Sequence, residues 1–185
     1  MYFTLYYRGD LKPNGKASDK HPIRQHFHTQ LKELWQQLPL SNFTRLLAPP
    51  HDVGEISLIR AKHGFNFAPL VAESVGLVAE LDVLMLWPAA PGHIISSGGD
   101  LDNRLKTLFD ALKVPGEPNA LPPGTVPTAN QDPFYCLVED DSLITRVGVE
   151  TDRLLEAGVG RSEVVVTIRV TTRQLRVHAM TIGLA

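Results

Sequence analysis

The sequence predicts an α+β fold within the broader α/β class: one domain, residues 1–185, in which a small mixed or antiparallel sheet packs with two main helices. Three observations predict it. Two segments repeat apolar residues at helical spacing, several others alternate apolar and polar residues as half-buried strands do, and a composition of 43% apolar and 21% charged residues can bury a core without disulfide or metal staples.

Tyr2 to Arg8 alternates and is rich in aromatics, which suits a first strand, and Asn14-Gly15 followed by Lys16, Ser18 and Asp19 reads as a loop. From about Pro22 to Leu38, the residues Ile23, Phe27, Leu31, Leu34, Trp35 and Leu38 recur three or four apart, so a helix is expected with Pro22 in its first turn. Pro49-Pro50 closes that region, and Glu55 to Arg60 reads as a short strand. Leu77 to Trp87 sets Ala79, Leu81, Val83, Met85 and Trp87 on one face and Glu80 and Asp82 on the other, a half-buried strand that Pro88 stops.

Gly92 to Gly99 reads as a flexible connection to Asp100, where a second helix begins and runs to about Lys113. Leu101, Leu105, Leu108, Phe109 and Leu112 make its apolar face, while Asp102, Lys106 and Asp110 form a stripe on another side. Val114 to Pro133 holds six prolines and no periodicity, an irregular insertion rather than a domain boundary. Leu143 to Thr151 and Glu163 to Thr171 both alternate, and read as neighbouring antiparallel strands joined through Asp152 to Arg161.

One cysteine, Cys136, allows no internal disulfide, and the first residues lack the pattern of a signal peptide, so a cytoplasmic location is expected. The most apolar stretch, Phe67 to Pro91, is broken by Glu73, Glu80 and Asp82, so no membrane span is expected. The net charge of −2 hides an uneven distribution. Arg8, Lys12, Lys16, Lys20, Arg24 and Lys32 crowd the first residues, Arg169, Arg173 and Arg176 the last, and carboxylates the middle, an arrangement that would give an acidic centre a basic rim.

Asp100 at the helix start and Asp102 in its first turn suit the helix dipole, and capping alone could account for both. Capping does not account for Glu139-Asp140-Asp141, whose adjacent charges repel unless solvated or neutralised. A pair of divalent ions roughly 4 Å apart would neutralise them and stabilise an in-line displacement at phosphorus. Magnesium or manganese suits such oxygen ligands better than zinc. Lys106, four residues after Asp102, either forms a salt bridge or meets a phosphate.

Asp100-Leu101-Asp102-Asn103, Lys106, Phe109-Asp110-Ala111-Leu112 and the later Asp140-Asp141 together resemble the RusA-type Holliday-junction resolvases, most specifically over about 15 residues from Asp100. The resemblance implies an α+β homodimer that cuts branched DNA with Mg2+ or Mn2+ in recombination and repair. It implies metal ligation by Asp100, Asp102 and Asp141, with Asp140 as a neighbour that shares the role, and Lys106 as the catalytic cation. The expected function is therefore a metal-dependent, structure-selective endodeoxyribonuclease, with Lys16, Arg24, Lys106, Arg169 and Arg173 as DNA contacts. Two alternatives stand beside it: a catalytically inactive RusA-like protein that binds a cation or a protein partner, and a nuclease for another branched, flap or RNA substrate.

Other features carry less. His21, His26 and His28 lack helical metal-pair spacing and read as surface histidines, with phosphate contact as the lesser reading; Cys136, Trp35 and Trp87 read as core. Gly98-Gly99 lacks the Lys-Ser/Thr ending of a phosphate loop and reads as slack before Asp100.

Overall fold

The computed structural model describes residues 1–50, 55–88, 101–176 and 183–184, an α+β arrangement of two mixed sheets and two long helices around a main core with a smaller apolar cluster beside it. Asp100 and the Gly92–Gly99 connection lie outside the described residues. No helix among those described is long and apolar enough to cross a membrane.

The first strand, β1 (Tyr2–Asp10), and the first helix, α1 (Ala17–Trp35), follow the sequence pattern, but α1 begins five residues before Pro22, which sits inside it. Asp19 explains the earlier start: its carboxylate accepts from the backbone N–H of Lys16 at 3.0 Å, closing the first turn ahead of the proline. The stripe Ile23, Phe27, Leu31 and Trp35 is buried.

Next come β2 (Arg60–Lys62) and β3 (Phe65–Val71), joined by a tight turn in which His63 and Gly64 both have positive φ, 51° and 80°. The short strand expected over Glu55 to Arg60 is displaced: residues 55–59 are irregular and pairing starts at Arg60. β3 gives no alternating signal because it is buried along almost its whole length, and Pro69 argues against a strand. The proline is tolerated because β2 pairs only as far as Phe67, which leaves Pro69 with β5 alone. Parallel to β3 runs β5 (Phe134–Val138), buried throughout.

The larger sheet has the order β1-β7-β4-β6, with β4 (Leu77–Trp87), β6 (Ile144–Arg153) and β7 (Glu163–Gln174). The expectation that β6 and β7 pair is wrong. β4 lies between them, parallel to β6 and antiparallel to β7. Burial explains the order: β4 buries every alternate side chain from Leu77 to Trp87 and takes the centre, whereas β6 has no fully buried residue and takes the edge. Residues 154–162 are long enough to carry the chain past β4.

Helix α2 (Leu101–Leu112) packs on α1 and buries Leu101, Thr107, Leu108, Ala111 and Leu112. Leu105 and Phe109, expected on the docking face, are only half-buried. The helix is turned by Thr107, whose Oγ1 accepts from Gly15 N–H at 2.8 Å, and a Cβ on Gly15 would come within 2.8 Å of the Thr107 methyl. Gly15 is what lets the β1–α1 loop lie directly on α2.

The proline-rich insertion is irregular, as expected, with short helical turns at Pro118–Ala120 and Ala129–Gln131. It is docked by apolar packing and by hydrogen bonds, among them Asn66 Nδ2 donating to Asp132 Oδ1 at 3.0 Å and Lys32 Nζ to the Asn130 carbonyl at 3.1 Å. Leu121 joins Phe65, Phe67, Val114, Phe134 and Cys136 in a second apolar cluster, and the carbonyl of Asn130 meets His28 Nε2 at 3.2 Å.

The histidine expectation needs correcting, because His21 and His28 are 7% and 5% exposed, while His26 is exposed. His28 Nδ1 accepts from Tyr135 N–H at 2.9 Å, so the ring is neutral with its proton on Nε2, donated to Asn130. Burial lowers the basicity of both His21 and His28 below the ordinary 6.5. A depressed folded-state value means that stability is intact above pH 6.5, the ordinary value, and falls as pH drops below it, because the unfolded chain then binds more protons. The melting temperature should decline between pH 7 and about pH 5, less steeply in His28→Gln. A flat profile in the parent protein contradicts the buried neutral rings.

Candidate functional site

Asp102, Leu105, Lys106, Phe109, Asp110, Lys113 and Asp141 line one cleft of about 440 Å³. Two segments make it. The outer side of α2 supplies most of the residues, and Asp141 comes from the turn between β5 and β6. The half-buried Leu105 and Phe109 form its apolar floor. Asp102 and Lys106 are exposed and form no ion pair among the described residues.

The deeper end is a chain of ion pairs. Lys113 Nζ lies 2.7 Å from Asp141 and 3.2 Å from Asp110, and Lys20 Nζ lies 2.7 Å from the other oxygen of Asp110. Burial raises the Asp110 carboxyl, but the two ammonium groups outweigh it and hold the group below the usual carboxylate range. Lys113 is the converse case: burial pulls it down, and Asp141 and Asp110 together lift it above the ordinary lysine value.

The acidic run does not act as one cluster. Glu139 is held by the Arg60 guanidinium and by Glu73 N–H at 3.2 Å. Asp140 accepts from Ser142 N–H at 3.0 Å; hydrogen bonding from Ser142 holds its carboxyl below the usual carboxylate range, and it faces a neighbouring hollow of about 250 Å³ lined also by Lys20, Arg24, Pro115 and Gly116. Asp141 alone turns into the cleft with Asp102. Protein cations and a backbone cap thus meet each charge of the run separately.

The expected DNA rim divides in three. Lys106 lines the cleft, and Lys16, exposed at the start of α1, follows the loop bonded to α2. Arg24 is wrong as a surface contact, being 1% exposed. Its Nη2 donates to the carbonyl of Asp110 at 2.9 Å, and its Nε and Nη1 are buried without a partner among the described residues. Arg169 and Arg173 lie on the sheet face turned away from the core, and Arg173 is paired with Glu80 at 2.7 Å; neither lines the cleft.

The sequence reading passed over Lys20 and Lys113. Lys113 stands three residues after Asp110 at the end of α2, where a cation suits the helix dipole, and that was the available signal. Lys20 offered none, since its pairing with Asp110 depends on how α1 and α2 cross. Cys136 is core as expected, with burial pushing its thiol up to about 12, and Trp35 and Trp87 are buried. Arg104 lies over the Trp87 ring at 5.5 Å and donates to the carbonyl of Leu11.

Asp102 and Asp141 offer carboxylate oxygens of the kind a hard divalent cation takes, whereas both oxygens of Asp110 are held by Lys20 and Lys113. Lys113 competes with such an ion for Asp141. Among the described residues, no group of three or more His, Cys, Asp or Glu is gathered closely enough to form a ligand set, and Asp100 stands outside them. The chain matches no protein-family model, no curated protein and no solved structure.

Proposed function

We infer that this protein is a RusA-like, magnesium- or manganese-dependent endodeoxyribonuclease for branched DNA. One observation carries the reading: Asp141, from a separate segment of the chain, lines the same cleft as Asp102 and Lys106 of α2. Asp102 and Asp141, with Asp100 just before α2, would hold the metal, whose chemistry is to activate water and polarise the phosphodiester. Lys106, exposed one turn beyond Asp102 in the cleft, would meet phosphate, and Lys16, exposed at the start of α1, would add a further contact. Incubating a synthetic four-way junction with the protein, with and without magnesium, tests this; no magnesium-dependent nicking of the junction removes the reading.

Lys113 specifies a second reading. By neutralising Asp110 and Asp141 internally, it weakens a catalytic metal site and favours a catalytically inactive RusA-like protein that binds a protein partner or holds a cation only weakly. Replacing Lys113 by glutamine should free Asp141 and tighten manganese binding about two- to fivefold, since a partly exposed charge pair is worth up to about 1 kcal/mol. Calorimetric titration measures this, and unchanged affinity places the ion elsewhere. Manganese binding in a protein that neither binds nor cuts junction DNA supports the second reading over the first.

A further inference from the structure

The hollow that Asp140 faces, about 250 Å³, shares Asp110 and Lys113 with the cleft but not Asp102, Lys106 or Asp141. Its cations come from both helices: Lys20 and Arg24 from α1, and Lys113 just past the end of α2. The first residues of the insertion, among them Pro115 and Gly116, make a further wall.

Arg24 is the member that needs explaining. At 1% exposure its guanidinium is taken out of water, yet it forms no ion pair among the described residues. One nitrogen, Nη2, donates to the Asp110 carbonyl at 2.9 Å, and Nε and Nη1 are buried with no partner among those residues. A buried charge without a counter-charge is costly, and an anion brought beside it relieves that cost.

The two lysines add unused donors. An ammonium group has three N–H bonds to give; Lys20 gives one to Asp110, and Lys113 gives one each to Asp110 and Asp141. Asp110 has both oxygens taken in this way. The other two carboxylates that line the hollow, Asp140 and Glu117, are exposed, and Asp140 already accepts from Ser142 N–H. Donors thus outnumber acceptors, and the inner donor is a buried cation. A ligand suited to them accepts through several oxygens, donates nothing and carries negative charge, which describes a phosphate group. The volume falls below the roughly 300–1,000 Å³ of sites that enclose drug-sized molecules, so it suits one ionic group with the remainder of any larger ligand outside.

We propose that this hollow binds a terminal phosphate group, as the free ion or as the monoester at a nucleic-acid end, with Lys20, Arg24 and Lys113 donating to its oxygens. The test is a calorimetric titration of the whole chain with orthophosphate. A chelator is present throughout, so the result stands apart from that of the metal-dependent nuclease reading. One orthophosphate per chain is expected. Gly116→Asp should weaken it by about tenfold or more, because the new carboxylate stands at the hollow, and the fold should be kept because a Cβ on Gly116 meets nothing within 4 Å. Asp140→Asn keeps an oxygen for Ser142 N–H and removes a repelling charge, so it should tighten binding about threefold. Arg24→Met should abolish binding; if that variant does not fold, the other two substitutions still decide. Competition by a short DNA strand bearing a 5′-phosphate, and not by the same strand without it, assigns the site to a nucleic-acid end, while orthophosphate binding without such competition assigns it to the free ion. A parent protein that takes up no orthophosphate, or one whose affinity neither Gly116→Asp nor Asp140→Asn moves, overturns the proposal.

Discussion

Replacing Asp102 by asparagine should lower magnesium-dependent nicking of a four-way junction by about a thousandfold while leaving the fold intact. Asp102 is exposed in the first turn of α2, and its side chain forms no ion pair among the described residues. On the proposed function, amide for carboxylate would take a negative charge from the cation and change little else. A metal contributes several kcal/mol of charge stabilisation to a displacement at phosphorus, and about 4 kcal/mol corresponds to a factor of about a thousand in rate. The melting temperature should hardly move, since surface substitutions away from packed features are usually within about 0.5 kcal/mol. Undiminished cutting by the variant would remove Asp102 from the chemistry, and a loss of cutting that tracks a loss of folded protein would make its role structural.

Phe134→Ala should cost the most stability, about 3–5 kcal/mol, read by urea or thermal unfolding. The Phe134 ring is wholly buried, stacked at 4.4 Å on His28 and meeting Phe65 and Phe67 edge-on at 5.8 and 5.7 Å. It joins the smaller apolar cluster to α1, so the cavity opens at a junction between elements and cannot be closed by one helix shifting. A loss below about 1 kcal/mol would show that the neighbouring rings collapse into the space. Because His28 also holds the insertion through Asn130, the same substitution should expose residues 114–133 to proteolysis before global unfolding.

Local periodicity carried a good part of the fold. The bounds of β4 and the course of α2 were legible because Pro88 and a regular leucine spacing mark them. β3 and β5 were not, since strands buried on both faces show no alternation. Strand order failed at β6 and β7 for a different reason: each has the sequence of a sheet strand, and which neighbour it takes depends on the competition for the buried centre, which β4 wins. In the cleft, the meeting of Asp102, Lys106 and Asp141 was anticipated from the family resemblance, while the separation of Asp140 from Asp141 was not, because a single turn sends adjacent side chains into different hollows. Arg24 was misplaced by treating charge as a sign of exposure; its position on α1, one turn before His28, puts it beneath α2 instead.

The side-chain cover that Gln30 gives Tyr6 has a consequence for stoichiometry. A sheet with two open edges can add subunits without limit, and the product is a fibre. With α1 side chains over Tyr6, a strand arriving at β1 finds that residue's backbone groups already taken, so growth by pairing stops at this edge. Because His26 also reaches the Tyr6 carbonyl, both Gln30 and His26 must be replaced by alanine to reopen this edge, and the species to look for is one without a fixed size.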